Sequence, residues 1–288
     1  MEVHLRTTDT DMGRVITLTN VWISASELDD KQIRFVDTRF SLQDSSAGQV
    51  LYDTGHLKNA VYLDLEQDLS NMKSSEGRHP LPSKEQLQRM FETKGFLYTD
   101  YIVIYDQGGM PFAPRAYWLF KYAGFPEVHI LKEGYDQLVK LGFEISKKKP
   151  FFASTVLSLE WNEAILSTRE SVKEVSDGDV KGVLLDARSA DRYAGVTEPI
   201  DSVAGHIPSA RNFDWEQLKQ SSIFKSSSDI QEMLKNVVNK DEKITVYCGS
   251  GVTAAPLYAM LKDAGYPNVK LYVGSYSDWI TAYPVDKK

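Results

Sequence analysis

Apolar residues in this chain come in short bursts that end on a polar or glycine residue. A longer stretch with one apolar face then follows. Val183-Leu184-Leu185 runs into Asp186, Ile244-Thr245-Val246-Tyr247 into Cys248, and Val269-Lys270-Leu271-Tyr272-Val273 into Gly274. Bursts of this kind predict buried strands of a parallel sheet. Between the last two, Ala254 to Ala264 is apolar on one face and is stopped by Gly265 and Pro267, as a helix C-terminus should be. Strand, helix and strand with connections this short predict an α/β fold, a parallel sheet flanked by helices.

The pattern occurs twice. Phe35-Val36-Asp37-Thr38-Arg39 matches Leu184-Leu185-Asp186-Ala187-Arg188, and Thr54-Gly55-His56-Leu57 matches Ala204-Gly205-His206-Ile207. Val103-Ile104-Tyr105-Asp106 matches Thr245-Val246-Tyr247-Cys248, and Ala123-Gly124-Phe125-Pro126 matches Ala264-Gly265-Tyr266-Pro267. A spacing of about 145 residues is too long for a solenoid unit, so each copy is predicted to be a whole domain. The expected division is a first domain over 1–144, a linker over 145–158 that contains Lys147-Lys148-Lys149-Pro150, and a second domain over 159–288.

Composition narrows the class. The chain has 288 residues, enough for two ordinary domains, with 42% hydrophobic and 25% charged residues. No apolar run approaches the roughly 20 residues that span a bilayer, and Met1 to Thr10 lack the apolar stretch of a secretion signal. A cytoplasmic protein without a membrane partner is expected. The formal net charge of −7 argues against nucleic acid as a partner. There is one cysteine, which can form neither an internal disulfide nor a cysteine-based metal site. The reading requires no metal and no cofactor.

A lone cysteine is ordinarily a small buried hydrophobe. Cys248 differs in its setting, the carboxyl end of a predicted strand, where α/β sheets place their chemistry. It is followed by Gly249-Ser250-Gly251-Val252-Thr253 and then a helix. Two glycines let the backbone curl its N–H groups toward one point, and such a nest at a helix N-terminus binds anions. A cysteine at its rim is expected to be a thiolate nucleophile.

Cys248-Gly-Ser-Gly-Val-Thr-Ala254, with the Asp-Ala-Arg, Gly-His-Ile-Pro and Ala-Gly-Tyr-Pro segments in the same order, resembles the tandem-domain rhodanese and 3-mercaptopyruvate sulfurtransferase family. The resemblance runs from about Val21 to Trp279. It implies two rhodanese-like domains, the second catalytic, and a sulfur carried on Cys248. The duplication agrees, since Asp106 stands in the cysteine's place in the first copy. Residues common to both copies, such as Arg39 with Arg188 and His56 with His206, are expected to hold the fold. Arg192 has Gln43 as its counterpart and belongs to the active copy alone. It matches the family's donor-contacting arginine, and a guanidinium fork suits a carboxylate or thiosulfate. Arg192 is the expected substrate anchor and Arg188 a second contact, with Gly249, Gly251, Val252 and Thr253 cradling the anion.

Thiosulfate-specialised members resemble Cys-Arg-Lys-Gly at this loop, whereas Gly249 and Ser250 resemble the mercaptopyruvate type. That resemblance implies a relay of Ser250 with His79 and Asp64 from the first domain, able to protonate the enolate left when mercaptopyruvate gives up its sulfur. Animal members carry a further arginine after a Glu-Pro segment, where this chain reads Glu198-Pro199-Ile200-Asp201, so a thiosulfate-preferring enzyme stays open. With no second cysteine, the sulfur must leave to an outside acceptor: cyanide, a small thiol or a thioredoxin-like protein. A phosphatase of the Cys-x5-Arg kind is disfavoured because Ala254 occupies the arginine's position. A non-catalytic persulfide or redox sensor would keep Cys248 but need no anchor such as Arg192.

Overall fold

The computed structural model describes residues 20–28 and 32–287; the expectation drawn on Met1 to Thr10 falls outside them. Each copy builds a five-stranded parallel sheet. In the first the strands are Trp22–Ile23, Ile33–Asp37, Val61–Tyr62, Tyr101–Tyr105 and Val128–Leu131. In the second they are Leu166–Ser167, Val183–Asp186, Arg211–Asn212, Ile244–Tyr247 and Val269–Tyr272. Both sheets have the same spatial order: first, fifth, fourth, second, third. Even the register repeats, since Asp37 lies opposite Tyr105 and Asp186 opposite Tyr247.

The shared polar residues form the same buried frame twice. Arg39 Nη2 donates to Asp37 Oδ2 at 2.7 Å and to the Gly55 carbonyl at 2.6 Å. Arg188 Nη2 donates to Asp186 Oδ2 at 2.7 Å and to the Gly205 carbonyl at 2.7 Å. The guanidinium groups lie over Tyr135 and Tyr276, 3.7 and 3.8 Å from the ring centroids. His56 bonds the Tyr52 carbonyl and stacks on that ring, as His206 does with Tyr193. Pairing these charges inside the fold offsets the cost of taking them out of water.

The helices Phe112–Tyr122 and Ala254–Asp263 follow the fourth strand of their sheets and pack on each other across the domain boundary. One continuous apolar core results, running from Phe91, Phe96 and Trp118 in the first domain to Leu257, Met260 and Leu271 in the second. The connecting segment adheres to the first domain. Ile145–Ser146 pairs antiparallel with His56–Leu57, and the N–H groups of Thr155 and Leu157 reach Glu92 at 3.0 and 2.9 Å. The segment expected to be a linker therefore opens as a strand of the first domain. It leaves Phe151 and Val156 more than 90% exposed. No helix among the described residues is long and apolar enough to cross a membrane.

Candidate active site

Cys248 follows the buried strand Ile244–Tyr247 and opens the loop that leads into the helix Ala254–Asp263. Its surroundings fix it from behind. The Cys248 N–H donates to Ser275 Oγ at 3.1 Å, and the carbonyls of Cys248 and Gly249 accept from the N–H groups of Tyr276 and Ser277 at 3.0 and 2.9 Å. Ser275 holds this position with a left-handed φ of 57°, unusual for a residue with a side chain. The Gly251 N–H donates to Cys248 Sγ at 3.1 Å. Among the described residues, the N–H groups of Gly249, Ser250, Val252 and Thr253 meet no acceptor. Thr253 does not cap the helix with its side chain. The cradle is a polar cup with one sulfur in it.

Two expectations need correction. Cys248 is not at the rim but buried, 1% exposed, and the first domain lies against its loop through His79 on Ser250 and Arg115 on the Gly251 carbonyl. The two glycines also act differently from each other. Gly251 has a φ of +73°, and a Cβ there would lie 2.3 Å from the Val273 carbonyl oxygen. Gly249 is outside the left-handed region; a Cβ there would instead lie 2.6 Å from Arg78 Nη2.

The first domain contributes to the closure directly. His79 Nδ1 lies 2.9 Å from Ser250 Oγ, a contact between residues 171 positions apart. Burial, with help from the charges of Arg115 and Arg78, pulls the imidazole down to about 4. It is therefore neutral at physiological pH, and its Nδ1 pairs with the Ser250 hydroxyl, the tautomer setting which of the two donates. Asp64 does not join them. Its carboxylate caps the following turn through the N–H groups of Glu66 and Gln67 and lies 3.2 Å from the Tyr62 hydroxyl. Among the described residues it makes no bond to His79.

Arg192 is present at the site, and its side chain is only 17% exposed. Its Nε and Nη2 are held by Glu198, with Nη2 2.7 Å from Oε1, and Nη2 also donates to Asp201 Oδ2 at 3.1 Å. Arg188 offers nothing to a donor. Nε and Nη2 serve Asp186 and Gly205, while Nη1 donates to Glu198 at 3.1 Å. The frame takes up every one of its nitrogens, so the expected second substrate contact is not available.

Four side chains escaped the sequence reading as parts of the site. Arg78 donates to Asp201 from the opposite domain. Glu198 and Asp201, both 3% exposed at the side chain, hold the arginines in place. Arg115 is fully buried in the helix Phe112–Tyr122 and bonds only carbonyls, those of Leu69, His79 and Gly251, at 3.1, 3.3 and 3.4 Å. Burial lowers it to about 10, with Cys248 as the opposing influence. Arg115 as the one charged residue between Phe112 and Phe120 was the available signal for it.

Residues 24–141 and 167–282 each match the Rhodanese-like domain. The chain belongs to the rhodanese family. A protein named as a probable 3-mercaptopyruvate sulfurtransferase of Pseudomonas aeruginosa is 32% identical over 89% of this chain and 92% of its own length. The 3-mercaptopyruvate sulfurtransferase of Escherichia coli K12 is 31% identical over 90% of this chain and 92% of its own. The thiosulfate sulfurtransferase of Gallus gallus is 30% identical over 81% of each. The crystal structure of the Escherichia coli 3-mercaptopyruvate enzyme superposes with a TM-score of 0.77 at 27% identity, covering 90% of this chain and all of that one. These rhodanese relatives share one activity, and this chain is a sulfurtransferase.

Proposed function

We propose that the enzyme takes sulfur from 3-mercaptopyruvate, carries it on Cys248 and passes it to a thiol, cyanide or thioredoxin-like acceptor. The supporting observation is the 2.9 Å contact of His79 Nδ1 with Ser250 Oγ, two residues beyond the thiol. The Cys248 thiolate attacks the sulfur of mercaptopyruvate. The S–S bond forms as the C–S bond breaks, and the electron pair leaves on carbon as the enolate of pyruvate. Ser250, oriented by His79, gives its hydroxyl proton to that carbon and regains the proton that the transferred sulfur gives up. Cys248 remains as a persulfide anion facing the N–H groups of the loop. Thiosulfate needs no such proton, because sulfite leaves as a stable anion. The cytoplasm, where thiols stay reduced, suits a carrier with no partner cysteine.

Cys248→Ser is expected to abolish transfer and the mass gain of about 32 Da that marks a persulfide. Ser250→Ala is expected to lower kcat with mercaptopyruvate by about 10²-fold or more while changing the thiosulfate rate little. An equal effect on both donors would instead favour the thiosulfate-preferring enzyme.

A further inference from the structure

We propose that Arg115 is a positioning residue, which keeps His79 on Ser250 by clamping the neck of the His79 loop to the cysteine loop. This rests on the sulfur-transfer reading above, in which Ser250 and His79 supply a proton, and adds the group that holds the two together. Arg115 lies in the helix Phe112–Tyr122, fully buried, and its fork reaches three main-chain carbonyls. Nη2 donates to Leu69 at 3.1 Å and to His79 at 3.3 Å, the two ends of one loop. The Asn71 N–H closes the same neck on the Pro80 carbonyl at 2.9 Å. Nη1 donates to the Gly251 carbonyl at 3.4 Å. A ring results: from the guanidinium to the His79 main chain, through the imidazole to Ser250 at 2.9 Å, and through Gly251 back to the guanidinium. The contact at its far side joins two domains, so it needs both loops fixed, and one planar fork fixes both.

Its setting separates Arg115 from the framework. Arg39 and Arg188 are each paired with an aspartate of their own sheet, at 2.7 Å in both cases. Arg115 has no carboxylate partner among the described residues, and its Nε is buried without an acceptor. Aligned on Ala123-Gly124 and Ala264-Gly265, it falls on Pro256, and the second copy builds the same strand order without it. A buried cation that meets only carbonyls is costly to the fold. The charge that offsets this cost is that of Cys248, whose Sγ accepts from the N–H of the same Gly251. The site, not the sheet, accounts for an arginine in this place.

Steady-state kinetics of Arg115→Met, alone and combined with Ser250→Ala, tests this with mercaptopyruvate and with thiosulfate. Freeing His79 from the loop is expected to lower kcat with mercaptopyruvate about tenfold or more, and with thiosulfate less than about threefold. Added to Ser250→Ala, the same substitution is expected to cost less than about twofold further, because no hydroxyl remains to be positioned. Arg115→Lys keeps the charge but cannot span three carbonyls, and it is expected to show the same split between donors. It also supplies the reading should Arg115→Met fail to fold. Equal losses with both donors, the full loss repeated on top of Ser250→Ala, or a wild-type kcat in either variant would each overturn the assignment. A Ser250→Ala enzyme with undiminished mercaptopyruvate turnover would sink the underlying proton-transfer reading instead, so the two failures are distinguishable.

Discussion

The two loops that follow the fourth strand of each sheet are the same device with different contents. In the second domain the cup holds the Cys248 sulfur, bonded by the Gly251 N–H at 3.1 Å. In the first it holds the Asp106 carboxylate, bonded by the N–H groups of Gly108 and Ala113 at 2.8 and 3.1 Å. Both sit at the N-terminus of a buried helix, where the backbone favours a negative group. The first cup is filled by its own side chain. An anion cradle is thus a property of the fold, and the two copies differ in what stands around it: Arg192, Arg78 and His79 lie against the second loop, which itself carries Ser250.

The comparison can be broken most severely by moving the nucleophile. Asp106→Cys in a Cys248→Ser background is expected to leave sulfur transfer at background, because Gln43 stands where the second domain has Arg192. Mass spectrometry after incubation with each donor checks this, and sulfur appearing on the first loop would show that the cup alone suffices.

A smaller effect tests whether the frames are equivalent. Asp37→Asn and Asp186→Asn each strip the partner from a buried arginine and are expected to cost about 3–5 kcal/mol apiece. Denaturant unfolding measures both. A large gap between them would mean that one copy bears more of the stability than the other.

The smallest effect concerns pH, where two groups of the first domain act in opposite directions. Desolvation raises Asp106 to about 6, with its backbone N–H partners opposing. The folded protein binds that proton more tightly than the unfolded chain, so this group destabilises the fold as pH rises from about 4 to 6. His79, lowered to about 4, must stay neutral to remain folded, so its contribution is lost as pH falls from about 6.5 to 4. Each amounts to at most about 3 kcal/mol. The wild type is expected to be nearly flat over this window as far as these groups decide it. Asp106→Asn should leave only the acid-side loss, and His79→Gln only the decline on raising pH. Melting curves between pH 4 and 7 give the result.

Much of this was legible in the chain. The strand before Cys248 and the helix after it follow from apolar patterning. The duplication identified Arg39, Arg188, His56 and His206 as framework, and the structure gives each pair matching bonds. The site was legible where its residues are local and, through the family resemblance, at His79, which meets Ser250 from 171 positions away. Arg78, Arg115 and Asp201 act across the boundary between domains, and sequence spacing carries no information about which surfaces meet. Arg78 and Arg115 belong to the copy without a cysteine, whose framework residues and whose contacts with the other domain's loop are different sets. Asp64 misled for a related reason: it stands in a plausible segment, but the backbone turns at Glu66 and Gln67 and spends the carboxylate on its own N–H groups.

The connecting segment has a consequence for how the molecule would withstand proteolysis. Phe151 and Val156 face solvent, yet the helices on either side of the boundary share one apolar interior. A protease that nicked the chain there would sever the covalent tether without parting the halves, which would stay together as two fragments of one working enzyme.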